Sequence, residues 1–204
     1  MRVSGGVAKG IPLKSAGGRN VRPTTARVRQ AVFSIVSHTI LEAFVLDLYA
    51  GTGAMGIEAL SRGAAKAVFV ESSAACIRAI RDNLERTGMT QKGAILKGDA
   101  LKVLASLGRQ KEKFDVVIAD PPYDRGEEFA GGTPALHSVR NRSPLAEKTL
   151  KILLESGILK ADSLIILEHA VRGCGLDIPD GLTVVSVRKY GDTAVSILHP
   201  SPRR

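Results

Sequence analysis

Residues 44–56 read Phe-Val-Leu-Asp-Leu-Tyr-Ala-Gly-Thr-Gly-Ala-Met-Gly, and the order of residue types in this stretch decides the fold. Phe44 to Leu48 is a short apolar run bounded by turn formers, which suits a strand buried on both faces of a parallel sheet. Gly51, Gly53 and Gly56 follow directly, and the spacing from Met55 predicts a helix over 55–62. Glycines at a strand exit let the chain turn tightly and let a ligand approach the backbone with no Cβ in the way. In open α/β sheets that carboxyl edge is where ligands bind.

Working outward, strand-like and helix-like runs alternate. Further strands are expected at 67–71, 94–97, 114–119, 164–168, 183–187 and 194–198, with helices at 74–87, 101–107 and 145–154. This alternation predicts a mainly parallel seven-stranded sheet covered on both faces. The last two strands have no helix between them, so the sheet should end in an antiparallel pair. Upstream, Val28, Val32, Phe33, Ile35 and Val36 recur at helical spacing over 26–40, with Thr24 or Thr25 as cap and Pro23 keeping the preceding chain extended. The expected organisation is a basic N-terminal extension and helix over 1–40, followed by a main domain over 41–204.

The 204 residues, 44% of them hydrophobic, suffice for one substantial core. Twenty-nine Lys and Arg against 20 Asp and Glu give a net charge of +9, which favours polyanionic partners. Cys76 and Cys174 form no CxxC pair, and His38, His137, His169 and His199 have no metal-ligand spacing, so neither a disulfide framework nor a metal is expected. His169 is placed just past the fifth strand, within reach of the pocket. The start Met-Arg-Val-Ser-Gly-Gly-Val-Ala-Lys-Gly has no apolar signal core and no stretch reaches membrane-spanning length. A cytoplasmic protein without a membrane partner is the expectation.

The glycine loop alone is ambiguous. Gly51, Gly53 and Gly56 satisfy GxGxxG, and Glu71 ends the next strand, so both a nicotinamide dinucleotide and S-adenosylmethionine fit. Asp47, four residues before the first glycine, tilts the choice: its carboxylate attracts a ligand with ammonium and sulfonium charges and repels a pyrophosphate. Glu71 can accept hydrogen bonds from two ribose hydroxyls of either cofactor. Asp99 could reach an adenine amine, or could serve as the N-cap of the helix that follows.

Residues 114–123 read Phe-Asp-Val-Val-Ile-Ala-Asp-Pro-Pro-Tyr. A hydrophobic strand runs straight into Asp120-Pro121-Pro122-Tyr123, where the prolines fix φ and remove backbone donors, leaving a rim of acceptors. Such a rim suits an exocyclic NH2: the Asp120 carboxylate and a prolyl carbonyl accept its hydrogens, and Tyr123 offers a ring for stacking.

These segments resemble the amino-group methyltransferases that act on nucleic-acid bases. More narrowly, Arg22-Pro23-Thr24-Thr25-Ala26-Arg27-Val28-Arg29-Gln30-Ala31-Val32-Phe33, the loop Asp47 to Gly53, Gly56-Ile57-Glu58-Ala59-Leu60-Ser61-Arg62-Gly63-Ala64 and Tyr190-Gly191-Asp192-Thr193 resemble the bacterial 16S rRNA guanine-N2 methyltransferases. The resemblance spans nearly the whole chain. It implies a Rossmann-like class I methyltransferase fold with a reversed final strand, S-adenosylmethionine as donor, and a guanine amine of 16S rRNA, free or in an assembling small subunit, as acceptor. The chain departs from that pattern at Ala26 and Gln30, where acids are common, and in a longer stretch over 125–143. That stretch carries Arg140 and Arg142; beside Tyr123 it would border the substrate, or it is a lineage-specific loop with no part in the site.

The candidate sites follow. Asp120, Pro121, Pro122 and Tyr123 are the catalytic set. Asp47, Tyr49, Gly51, Thr52, Gly53, Gly56, Glu71, Ser72, Asp99 and Ala100 are the cofactor set. Arg2, Lys9, Lys14, Arg19, Arg22, Arg27 and Arg29 are the RNA-contacting cations, Arg27 or Arg29 alternatively tying the helix to the main domain. The expected chemistry is direct in-line methyl transfer to an unpaired or flipped-out base. Three other readings share part of the pattern: a DNA adenine or cytosine amino-methyltransferase, a catalytically idle nucleic-acid-binding assembly factor, and a nicotinamide dehydrogenase.

Overall fold

A computed structural model describes residues 1–16, 26–122, 144–171 and 176–202. Seven strands, β1 (Phe44–Leu48), β2 (Lys66–Glu71), β3 (Gly93–Lys97), β4 (Phe114–Ala119), β5 (Leu159–Ala170), β6 (Leu182–Tyr190) and β7 (Thr193–Pro200), form one sheet in the order β3-β2-β1-β4-β5-β7-β6. The β3, β2, β1, β4 and β5 ladders are parallel, and β7 runs antiparallel to both of its neighbours. The expected Rossmann-like sheet with a reversed final strand is present.

Strand alternation sorts the core into two layers. Val45, Phe69, Val116, Ile118, Ile166 and Val195 face α1 (Ala26–Ile35), α2 (Ser37–Ile40), α3 (Ala54–Ser61) and α4 (Ala74–Arg86). Leu46, Leu48, Val70, Val117, Leu167 and Leu198 face α5 (Ala100–Gln110) and α6 (Pro144–Ser156). Each buried Leu, Ile or Phe contributes roughly 1.5–3 kcal/mol relative to exposure.

Three elements differ from the sequence reading. The helix expected over 26–40 bends at Val36, which leaves helical values (φ −99°, ψ 15°), and the bend lets Phe33 and Ile40 both enter the core. β5 starts earlier than expected, through Lys160, Asp162 and Ser163, polar residues that interrupt the apolar run. The Ser163 hydroxyl donates to the Phe114 carbonyl and accepts from the Lys160 amide, bridging a register shift in the β4–β5 ladder. β6 extends to Tyr190 through Arg188 and Lys189, a polar run typical of a sheet edge.

Residues 1–16 are tied into the same body. Val3, Ala8 and Leu13 are buried in the core layer that holds Val45 and Phe69. The proposed caps Thr24 and Thr25, together with Arg19 and Arg22, lie outside the described residues, as do Tyr123, the 125–143 stretch with His137, Arg140 and Arg142, and Cys174. Cys76 is buried on α4.

Candidate active site at the carboxyl edge of the sheet

The sheet register sets four carboxylates in a row on the face covered by α1 and α3. Asp47 pairs with Phe69 on one side and Ile118 on the other, so Glu71 and Asp120 lie two residues further along their strands, on the same face. The β4–β5 ladder pairs Ile118 with Ile166 and Ala119 with Leu167. Carried one residue further, it sets Asp120 beside Glu168. Glu71, Asp120 and Glu168 therefore stand at the rim of β2, β4 and β5, with Asp47 one pleat deeper on β1 between the first two.

Asp47 is 3% exposed, and its Oδ2 accepts from the Gly56 amide at 2.8 Å, near the start of α3. Burial pushes its carboxyl up to about 8; the Gly56 hydrogen bond opposes this, while the neighbouring charges of Asp120 and Glu71 add to it. Crowded acids this close hold protons or take up a cation.

The glycine loop is shaped for close approach. Gly51 and Gly53 adopt left-handed φ values of 55° and 77°, which side chains resist. A Cβ on Gly56 would sit 2.3 Å from the Phe69 ring and 3.0 Å from Asp47 Oδ2, so only glycine lets α3 pack against the sheet there. Tyr49 is left-handed too, at φ 58°. Alternation would place it on the Asp47 face. The positive φ turns it to the other side, where it packs against the opposite core layer and its hydroxyl meets the buried Thr149 Oγ1 of α6 at 2.9 Å. Tyr49 thus anchors the loop from beneath.

Glu71 is already engaged. Its Oε2 accepts from the Gly51 amide and its Oε1 from the Ser72 and Ser73 amides, at 2.8–2.9 Å. A carboxylate offers about four acceptor positions, so roughly one remains for a ligand, where the sequence suggested two ribose contacts. Ser72 is exposed, Ala100 is buried, and Asp99 caps α5 by accepting from the Lys102 amide at 3.0 Å. Thr52 is buried, and its carbonyl accepts from Asn83, whose amide group also exchanges hydrogen bonds with the Lys14 backbone. Asn83 of α4 therefore clamps the N-terminal segment to the glycine loop. A buried Asn on an amphipathic helix gives little signal of such a role in sequence.

Asp120 and Glu168 share a cavity. Val28 and Val32 of α1 and Met55 of α3 form one wall; Ile118, Ala119, Ile166 and Val195 form the sheet side. Next along the chain, Pro121 is buried and Pro122 exposed. Glu168 was not singled out from sequence, because the side-by-side placement arises from strand pairing alone. His169 lies within β5, not beyond it. It points to the opposite face, with Nε2 at 2.8 Å from Ser196 Oγ, and burial lowers its basicity. It does not line the cavity.

The N-terminal cations divide. Arg2, Lys9, Lys14 and Arg27 are exposed, with Lys14 paired to Asp82 at 2.6 Å. Arg29 is a correction to the expected phosphate-contacting set: it is 0% exposed, its Nε is 3.0 Å from Glu58 Oε2, and it donates to the Arg2 carbonyl. Burial alone would raise the Glu58 carboxyl, but the Ser4 amide and hydroxyl, Arg62 and Arg29 together hold it below the usual range. This buried network fastens α1, one wall of the cavity, to α3, the helix of the glycine loop. That is the second of the two roles considered for Arg29.

The acid row and the glycine cradle suit a cationic ligand, and the Asp120 carboxylate beside Pro121 and Pro122 could accept hydrogen bonds from a neighbouring one. Among the described residues no group of His, Cys, Asp and Glu is arranged to hold a metal ion, and no helix is long and apolar enough to cross a membrane. A family model described as "Conserved hypothetical protein 95" matches residues 1–199. "Putative rRNA methyltransferase YlbH" of Bacillus subtilis is 31% identical over 204 residues, covering 97% of each chain. "Ribosomal RNA small subunit methyltransferase D" of Escherichia coli is 32% identical over 172 residues, covering 84% of this chain and 76% of the relative. The solved structure "Putative methyltransferase yhhF from Escherichia coli" superposes with a TM-score of 0.77 at 28% identity, covering 100% of this chain and 99% of that one.

Proposed function

The chain belongs to the family described as conserved hypothetical protein 95, and on that premise we propose that it is an S-adenosylmethionine-dependent methyltransferase acting on the exocyclic N2 amine of a guanine in 16S rRNA. The observation that carries this reading is the placement of Asp47, Glu71 and Asp120 on neighbouring strands around a loop whose Gly51 and Gly53 take left-handed φ and whose Gly56 leaves no room for a Cβ. Its relatives named as rRNA methyltransferases supply the substrate class. Small-subunit rRNA, free or in assembly, is the partner, which places the protein in the cytoplasm.

The acids present suit the proposed donor. Bound there, S-adenosylmethionine would supply an electrophilic methyl group on a sulfonium. Asp47 faces the positive end, and Gly51 and Gly53 leave the backbone open to it. Glu71 offers its remaining acceptor position to a ribose hydroxyl, and Asp99, while capping α5, stands where an adenine amine can be read. A guanine amine is a weak nucleophile because its lone pair is delocalised into the ring. Asp120 and the Pro121 carbonyl accept its hydrogens, localising the lone pair and holding the nitrogen in line. As the nitrogen gains positive charge, Asp120 is the nearest group to stabilise it and receive the proton. Tyr123, by its place in the Asp-Pro-Pro-Tyr motif, stacks on the base. A recessed site of this kind requires an unpaired or flipped-out base. The exposed Arg2, Lys9, Lys14 and Arg27, with Arg22, form the phosphate-contacting set within residues 1–40, and residues 41–204 form the methyltransferase domain.

The test uses purified protein, methyl-labelled S-adenosylmethionine and small-subunit rRNA from a strain lacking the gene, followed by nucleoside mass spectrometry. The expected product is N2-methylguanosine at one position. Label in an adenosine or cytidine, or none in RNA while DNA is labelled, would overturn the reading.

A further inference from the structure

The cavity contains a second carboxylate that the amine-clamping chemistry does not use. Asp120 accepts the amine hydrogens; Glu168 lies beside it across the β4–β5 ladder and lines the same cavity, whose other walls are apolar. Resting on the guanine reading above, we propose that Glu168 is the specificity-determining residue of the acceptor pocket and accepts the N1–H of guanine.

The argument is one of donors and acceptors. Guanine presents two kinds of donor next to each other, the ring N1–H and the exocyclic N2 amine. Adenine and cytosine each present an amine next to a ring nitrogen that carries a lone pair. An ionised carboxylate only accepts hydrogen bonds. Two carboxylates side by side therefore match the guanine edge, one for the amine and one for N1–H. Against adenine or cytosine the second carboxylate would face a ring lone pair, and the two would repel each other in an apolar enclosure. A site built to bond a substrate N–H rejects analogues that lack it far more strongly than an apolar pocket rejects a change of size. Flipped bases are read along this edge. Neighbouring strands lie about 4.8 Å apart, close enough for carboxylates on two paired residues to reach adjacent donors on one base edge.

The probe is a short fragment of the small-subunit rRNA containing the nucleotide that the wild-type protein modifies, made with guanosine or with 2-aminopurine riboside at that position. 2-Aminopurine keeps the exocyclic amine but replaces N1–H by a lone pair. Single-turnover transfer by the full-length wild-type chain should favour guanosine by at least about a hundredfold. In Glu168→Gln the guanosine rate should fall and the preference should collapse towards unity, since the Gln amide can donate to N1 of 2-aminopurine. Glu168→Asp, which keeps the charge, should retain a preference for guanosine at a reduced rate. S-adenosylhomocysteine affinity serves as the folding control. A purely structural role for Glu168 would slow both substrates equally and leave the ratio intact, which would overturn the assignment while N2-methylguanosine formation still stood. A wild-type chain that uses 2-aminopurine as well as guanosine would overturn it too. Transfer to an adenine or cytosine amine would sink this inference together with the function on which it rests.

Discussion

Replacing Asp47 by asparagine should make the protein more stable at neutral pH and worse at its task. The Asp47 carboxyl is pushed up to about 8 by burial, from an ordinary 3.8, even though the Gly56 amide donates to it. Between those two values the folded chain holds a proton that the unfolded chain has released. Unfolding therefore releases a proton, and the Asp47 contribution to stability falls as pH rises from about 4 to about 8, then levels off. The slope is about 1.4 kcal/mol per pH unit, so roughly 2 kcal/mol of stability is lost between pH 6 and pH 8. Asparagine keeps an oxygen for the Gly56 amide and has nothing to titrate. Urea unfolding at pH 6, 7 and 8 should show the wild-type free energy falling by about that amount relative to Asp47→Asn. A cationic ligand that meets the ionised carboxylate reverses the penalty. S-adenosylmethionine affinity, measured by calorimetry, should strengthen by up to roughly tenfold per pH unit from pH 6 towards 8, with proton release. Asp47→Asn should remove both the pH dependence and the proton release. Parallel stability curves for the two proteins across pH 6–8, or wild-type affinity that ignores pH, would refute the reasoning.

Asp120→Asn should leave cofactor affinity within error and slow single-turnover transfer roughly a hundredfold or more, as expected for losing charge stabilisation in the transition state; rapid-quench measurements check this. Glu58→Gln removes a fully buried partner of Arg29, so chemical denaturation should show a loss of about 3–5 kcal/mol. Because Val3, Ala8 and Leu13 are core residues, the proposed RNA contact of the N-terminal segment is better probed by point changes than by deletion. Lys9→Gln and Arg27→Gln should each weaken rRNA binding and reduce the slope of log K against log salt by about 1 in filter-binding assays, with cofactor affinity unchanged.

Much of this protein is written locally. The apolar runs, their alternation with helical spacing and the glycines after Leu48 specify a doubly wound sheet, because burial on both faces and tight turning each leave a pattern in neighbouring residues. The Asp-Pro-Pro motif is equally local, since proline constrains its own backbone. The elements that depart from local pattern are those where a long-range contact overrides it: the start of β5, held by Ser163 against the Phe114 carbonyl, and the bend at Val36, made where Phe33 and Ile40 both reach the core. Tyr49 belongs with these, for nothing in its neighbours announces that a positive φ sends it to Thr149. The buried fate of Arg29 required Glu58, far along the chain, to be brought to 3.0 Å. Glu168 is the sharpest case. As a residue near the end of a strand it resembles any other acid, and it becomes the neighbour of Asp120 only once β4 and β5 pair in register. Sequence by itself determined the sheet, the loop and the Asp-Pro-Pro segment, each encoded within a few residues. The tertiary structure alone decided which charges meet, because hydrogen-bonding between strands sets distances that no spacing along the chain contains.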